Sequence, residues 1–389
     1  MERENVAFLY QARSDQVFPE IKITPVDDQR VLVRVRVNTS DLIADRASLD
    51  SIARWTVMIR PAYYDNYRKL IPADSLSIIA SAEQDPNKRE LEGSFTQPCK
   101  INTEGIINIQ IIDLHRNTIN HFSKIINRKN AELELTGELT RANDSLVIIK
   151  PFIYDWAAYI LRFPYLKVHS VKMIYFGHHF PMPEPPFSQS RDVQFSFDGD
   201  ERKEFKITDT LIIKFEKTGI YHFLPAGEVE RGFTVFKWGK GFPIPGKNTE
   251  TESLAYILSG EEFNVLKEKE NGAFEFWNGL SADAGQNAAL RKIWIDRMEM
   301  SNRLFTSYVE GWQTDRGMIY MIFGPPEEVY RSEEEENWVM KTKPNSAPLV
   351  FSFRKVGNPL SDNDYGLERN PGFKISWYDA VERWRKGLF

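Results

Sequence analysis

The apolar side chains of this chain change their spacing near residue 240, and that change constrains the fold more than any other feature of the sequence. Before it they recur every second residue. Val31, Val33, Val35 and Val37 alternate with Arg34 and Arg36, the pattern of a half-buried strand. After it they recur at helical spacing, as in Leu290, Ile293, Trp294, Met298 and Phe305, which makes one apolar stripe on a helix. Such a chain should build β structure first and a mixed unit afterwards.

Short β runs are expected at residues 5–10, 31–37, 52–60, 75–81, 93–98 and 106–114, then at 132–139, 145–154, 169–176, 193–197, 211–216, 220–223 and 234–238. Breakers such as Pro61, Pro72 and Asp85-Pro86 separate them at hairpin distances, which implies antiparallel sandwiches. The polar run Asn127-Arg128-Lys129-Asn130 makes the best seam. The expected organisation is multi-domain: two antiparallel β-sandwich (Ig-like) modules, residues 1–128 and 129–240, followed by an α+β domain over residues 241–389. Arg34 and Arg36 read as solvated strand positions. The loop at residues 180–187, with four prolines between Phe180 and Phe187, reads as a stiff surface connection or a docking arm.

Beyond the glycine-rich linker at residues 239–247, Thr249 with Glu252 and Ser259 with Glu262 are capping-box pairs ahead of two short helices. A long helix should cover residues 287–309 and a terminal helix residues 379–386. Strands are expected at 337–341, 349–354 and 373–377. Between the long helix and these strands lies the densest chemistry of the chain, residues 310–330. There Gly311 can end a helix in the left-handed conformation and Trp312 can anchor the corner. Thr314 and Asp315 can cap a tight turn and Gly317 can take positive φ, so residues 314–317 read as a side-chain-capped turn. The nearly all-apolar residues 318–323 read as a strand covered on both faces, stopped by Gly324, Pro325 and Pro326.

Gly311-Trp312-Gln313-Thr314-Asp315-Arg316-Gly317, then Ile319-Tyr320, Gly324-Pro325-Pro326-Glu327 and Trp338, resemble the GWxTD domain family of bacterial envelope proteins, found largely in Bacteroidetes and relatives. The likeness extends upstream through Phe242-Pro243, Leu254-Ala255-Tyr256-Ile257, Phe276-Trp277 and Asn302-Arg303-Leu304-Phe305. The resemblance implies an exported protein, periplasmic or outer-membrane-associated, with β-sandwich modules ahead of the signature domain and no known reaction. It also implies a lipoprotein signal, whereas MERENVAFLY has no basic n-region, apolar h-region or cleavage site. Either the signal was trimmed or this member lacks one, so membrane attachment is expected only through a lipid anchor absent from this chain or through a partner. Gly324-x-Pro326, Trp338-Val339-Met340 and Phe351-Ser352-Phe353 are similar in order to the small lipoproteins of the outer-membrane barrel assembly machine, which implies an accessory role in outer-membrane assembly or secretion.

The chemistry that enzymes need is thin. All six histidines precede residue 223 and the only cysteine is Cys99, so residues 241–389 can build neither a His-dependent triad nor an HExxH zinc site. His178-His179 would point to opposite faces of a strand. Residues 333–336 read as a solvated acidic loop, and residues 362–366 as a turn that lacks the later ligands of a calcium loop. No phosphate-binding glycine motif occurs. No cofactor and no metal are expected. With 50 Lys+Arg against 55 Asp+Glu and no basic stripe, nucleic acid is not an expected partner. No apolar run reaches the length of about 18 residues that spans a bilayer. The expected function is a non-catalytic envelope scaffold or interaction module whose partners are other envelope proteins. The alternative is a carboxylate-dependent hydrolase or glycan-active enzyme using Asp315 with Glu327 or Glu328, in which Arg316 would be the neighbouring cation.

Overall fold

The structure, a computed structural model, describes residues 5–11, 16–43, 54–65, 69–71, 78–83, 90–129, 135–150, 152–153, 155–177, 180–189, 198–207, 210–239, 241–332, 334–340 and 348–388. The strand expected at 193–197 and the pair His178-His179 lie outside these residues, as does Glu333.

The first β unit contains β1 (Glu20–Asp27), β2 (Arg30–Asn38), β3 (Arg54–Asp65), β4 (Lys69–Ile71), β5 (Ile78–Glu83), β6 (Glu90–Pro98), β7 (Glu104–Asp113) and β8 (Thr118–Asn127). They form one sheet of order β1-β2-β6 and another of order β4-β3-β7-β8 with β5 also on β3. Period-two patterning decides the inward faces: Val31, Val33, Val35 and Val37 of β2 meet Val57, Ile59, Ile107, Ile109 and Ile111 in one core. The second unit contains β9 (Glu138–Arg141), β10 (Val147–Ile148), β11 (Phe152–Ile153), β12 (Ala158–Arg162), β13 (Ser170–Phe176), β14 (Glu201–Lys206), β15 (Leu211–Lys214), β16 (Gly219–Pro225) and β17 (Phe233–Lys237). Its sheets run β10-β9-β12-β15 and β11-β17-β16-β13-β14, antiparallel except where β11 joins β17.

Arg34 and Arg36 are not solvated. Arg34 Nη1 donates to Glu138 Oε2 at 2.9 Å and Arg36 Nη2 to Val147 O at 2.7 Å, so both reach from β2 into the second unit. Lys22 Nζ does the same toward Gly137 O at 2.9 Å. The outer face of β2 is an inter-unit seam, which a single strand's alternation cannot distinguish from a wet face.

The C-terminal region holds α1 (Lys247–Ser253), α2 (Gly260–Lys267), α3 (Gly272–Asn278), α4 (Ala284–Phe305), α5 (Asp315–Phe323) and α6 (Lys374–Arg385), with an antiparallel sheet of β18 (Glu328–Arg331), β19 (Glu335–Met340), β20 (Leu349–Lys355) and β21 (Tyr365–Leu367) in that order. Ser259 and Glu262 form the expected capping box on α2. Thr249 caps nothing, because α1 already begins at Lys247 after Gly246.

Three expected strands are not found. Residues 318–323 are the body of helix α5, not a strand. Seven of its nine residues are buried, so the run is apolar all round and carries no period to distinguish helix from strand. Residues 373–377 are also helical, a 3-10 turn at Pro371–Phe373 leading into α6. There Trp377, Ala380, Val381 and Trp384 line the buried face at helical spacing. The segment at residues 5–10 makes a 3-10 turn at Ala7–Leu9 and a single bridge from Asn5 to Tyr330, in place of a full strand.

Candidate functional site

The signature residues build a corner where α4, α5 and the C-terminal sheet meet. Glycine at position 311 follows from close approach: a Cβ there would stand 1.8 Å from Ser301 O. Gly317 is governed the same way, with Gly311 O at 1.9 Å from its would-be Cβ. Neither residue has positive φ, contrary to expectation; Gly324 does, at 86°, and it ends α5. Pro325 lies exposed just beyond it.

Thr314 is the hinge of the corner. Its hydroxyl donates to Gly311 O at 2.8 Å and accepts from Gly317 N at 3.0 Å, which makes it the N-cap of α5. Trp312 fills the space beneath, with Nε1 donating to Glu310 Oε2 at 2.9 Å. Its carbonyl accepts from Tyr256 OH at 2.9 Å, and its own N–H reaches Asn302 Oδ1 at 3.3 Å. Burial pushes the Glu310 carboxyl up, against the Trp312 and Asn302 hydrogen bonds that lower it.

Asp315 opens α5, where the helix dipole favours an anion. Its Oδ1 accepts from Arg369 Nη2 at 2.6 Å, and its Oδ2 from Leu367 N at 2.8 Å and Arg369 Nη1 at 3.2 Å. Arg369 is thereby held bidentately and donates onward to Glu184 O at 3.1 Å. That carbonyl belongs to the proline-rich loop. The loop is a docking arm within the chain: Asn370 N donates to Pro186 O at 2.9 Å. Phe187 packs on Tyr378 and Phe180 on Tyr308, with ring centroids 5.4 and 4.9 Å apart.

Arg316 points the other way, into a buried polar cluster. Its Nη1 donates to Glu336 Oε2 at 3.3 Å and its Nη2 to Asn363 Oδ1 at 2.5 Å, with the guanidinium over the Tyr365 ring at 4.1 Å. Glu336 is fully buried and accepts from Tyr10 OH at 2.7 Å, Trp338 Nε1 at 2.6 Å and Arg331 Nη2 at 2.9 Å. Burial alone would raise its pKa. Arg331 and Arg316 outweigh that and hold the carboxyl below the usual range. Arg316 Nε is a buried donor without a hydrogen-bond partner. Tyr320, one helical turn on, donates from its hydroxyl to Tyr10 O at 2.9 Å.

At the far end of α5, Arg297 Nη1 donates to Met321 O at 2.8 Å and Ile322 O at 3.1 Å, satisfying carbonyls at the helix C-terminus. Burial brings its pKa down to about 10. Gly324 makes room, since a Cβ there would stand 2.8 Å from Arg297 Nη2.

The predicted residues Gly311, Trp312, Thr314, Asp315, Arg316, Gly317, Tyr320, Gly324 and Trp338 thus fall within one continuous packed region. Glu327 and Glu328 lie past the opposite end of α5 from Asp315. Glu327 is exposed and Glu328 accepts from Tyr330 OH at 2.8 Å. Sequence reasoning missed Tyr10, Glu336, Asn363 and Arg369. For Glu336 a signal existed, since it lies two residues from Trp338 and so on the same strand face; reading residues 333–336 as one solvated loop obscured it. Nothing local marks Arg369 or Tyr10.

Elsewhere, an open groove of about 630 Å³ runs between α1, α3 and α4 and contains none of the signature residues. Arg291 lines it and chelates buried Glu250 at 2.7 and 2.8 Å. Among the described residues no group of three or more His, Cys, Asp or Glu gathers as a ligand set, and no helix is long and apolar enough to cross a membrane. His222, fully buried in β16, bonds Thr234 Oγ1 through Nδ1 and Glu230 O through Nε2, both at 2.8 Å.

No curated protein matches the chain. The model of the GWxTD domain matches residues 219–386. This span starts with β16 and so takes in His222 and the two strands whose Ile220, Leu224 and Phe236 share a small core with Leu360 and Tyr308. Residues 219–386 of the chain thus form a GWxTD domain.

Proposed function

We propose that this protein is a non-catalytic scaffold of the bacterial cell envelope, periplasmic or outer-membrane-associated, that presents surfaces to other envelope proteins as an accessory to outer-membrane assembly or secretion. In this reading residues 1–128 and 129–240 are Ig-like sandwich modules and residues 241–389 the α+β unit. One observation carries the proposal: the polar groups of the signature are spent on the fold. Thr314 caps α5, Asp315 binds Arg369 and Leu367 N–H, and Arg316 binds Glu336 and Asn363. A nucleophile or general acid must reach a substrate, whereas among the described residues these groups bond to other parts of the chain.

The carboxylate-pair reading draws little from the same geometry. The nine-residue helix that begins with Asp315 carries the chain to the segment that begins at Gly324, a rise of about 13 Å. Paired glycosidase carboxyls stand roughly 5–9 Å apart. Crosslinking and affinity capture from the native envelope test the scaffold reading. A reproducible set of outer-membrane partners supports it, and turnover of envelope glycan by the purified monomer would end it.

A further inference from the structure

Residues 5–10 lie outside the matched family span, yet they complete its core. β18 is an edge strand of the C-terminal sheet, and this segment meets that edge. Val6 N donates to Val329 O at 2.9 Å, Asn5 Oδ1 accepts from Val329 N at 2.9 Å, and Asn5 bridges Tyr330 antiparallel. Ala7 is buried in the same core. Tyr10 is the anchor: its ring lies 5.6 Å from Phe305 and 5.4 Å from Trp338. Its hydroxyl donates to Glu336 Oε1 and accepts from Arg331, and its carbonyl accepts from Tyr320 OH. One backbone hydrogen bond and one side-chain cap on a sheet edge, with one aromatic side chain seated in a desolvated pocket, join the edge contact used in strand addition to the buried anchor typical of recognition hot spots. More than 300 residues separate the two sides of each of these hydrogen bonds.

We infer that this cleft of the GWxTD domain is a peptide-binding site whose resident ligand is the chain's own residues 5–10, and that an equivalent peptide supplied in trans can replace them. The recognised chemistry is an asparagine that caps the edge N–H of Val329, a small residue at the buried position of Ala7, and a tyrosine whose hydroxyl completes the Glu336–Arg331 pair. The inference deepens the scaffold reading, on which its biological role rests. Its test uses purified protein alone, so failure of exchange leaves envelope capture untouched, and failure of capture leaves exchange untouched.

The experiment uses the full chain with a protease site inserted after the exposed Gln11, the uncut protein serving as the control for folding. After cleavage the chain should keep its melting temperature while the peptide stays bound. A fluorescent synthetic peptide of residues 5–11 should then exchange in saturably, and its Tyr10→Phe version should bind roughly tenfold to a hundredfold more weakly, the range for losing a hydrogen bond to a buried charge. Full-length Tyr10→Ala, with its anchor pocket vacated, should also capture the wild-type peptide where the parent does not. Unfolding on cleavage, retention of the fragment without exchange, equal binding of the Phe peptide, or a folded Tyr10→Ala chain that ignores the peptide would each overturn the inference.

Discussion

A Cβ on Gly311 would stand 1.8 Å from the Ser301 carbonyl, so this glycine lets the end of α4 and the 3-10 turn at Gly311–Gln313 touch backbone to backbone. Backbone cannot give way as a flexible side chain can. Gly311→Ala should therefore lose at least the 1–3 kcal/mol or so typical of overpacking, measured as a lowered midpoint in urea. His222 provides a second check at this scale. Burial brings its pKa from 6.5 down to about 4, so between those values the unfolded chain binds more protons than the folded one. Its contribution is fully present above pH 6.5 and is lost as pH falls toward 4, about 3 kcal/mol over the window. Unfolding titrations of the parent and of His222→Gln should diverge in slope there, the parent being the steeper. Neither result was legible from residue type alone: glycine announces conformational freedom, and only the opposing backbone shows that space is what it supplies.

Helix α5 is the element that most misleads a reader of the sequence. Amphipathic helices declare themselves by period, and α4 was legible for that reason, with Leu290, Trp294, Met298 and Phe305 buried along one side. α5 is buried on every side, so its residues from Met318 to Ile322 show no stripe. Its N-cap was the one local clue, because Thr314 accepts the Gly317 N–H as helix caps do. At its first residue, Asp315 couples the helix to the proline-rich arm through Arg369. Asp315→Asn should cost about 3 kcal/mol, the low end for breaking a mostly buried ion pair. Arg369→Gln should recover part of that loss when added to it, and a double-mutant cycle reads the coupling. Hydrogen exchange at residues 180–188 should accelerate in either single variant, because Arg369 holds the Glu184 carbonyl. A cycle with no coupling, and unchanged exchange in the arm, would show that the contact carries no structural load.

On the scale of the whole molecule the three regions interlock. Residues 5–10 lie in the C-terminal core, the arm at residues 180–187 docks on α6 and Arg369, and Lys22, Arg34 and Arg36 stitch the two β units together. Proteolysis within residues 239–247 should therefore nick the chain without freeing a separate C-terminal piece, and the two fragments should co-elute on gel filtration until denaturant is added. Release of a folded fragment in buffer would show these contacts to be too weak to hold the units together. The alternation of apolar residues through position 240, and the helical spacing after it, determined by themselves that β units precede a helical and sheet region. The signature heptad marked the GWxTD domain at residues 219–386. Both are properties of neighbouring residues, which is what periodicity and motif spacing record. Tertiary structure alone decided that Arg36 is buried, that Glu336 lies at the centre of a charge cluster, that Asp315 finds Arg369, and that Tyr10 closes a core more than 300 residues away. A polar side chain reads the same in sequence whether it faces water or a distant partner, and only the folded chain brings that partner within hydrogen-bonding reach.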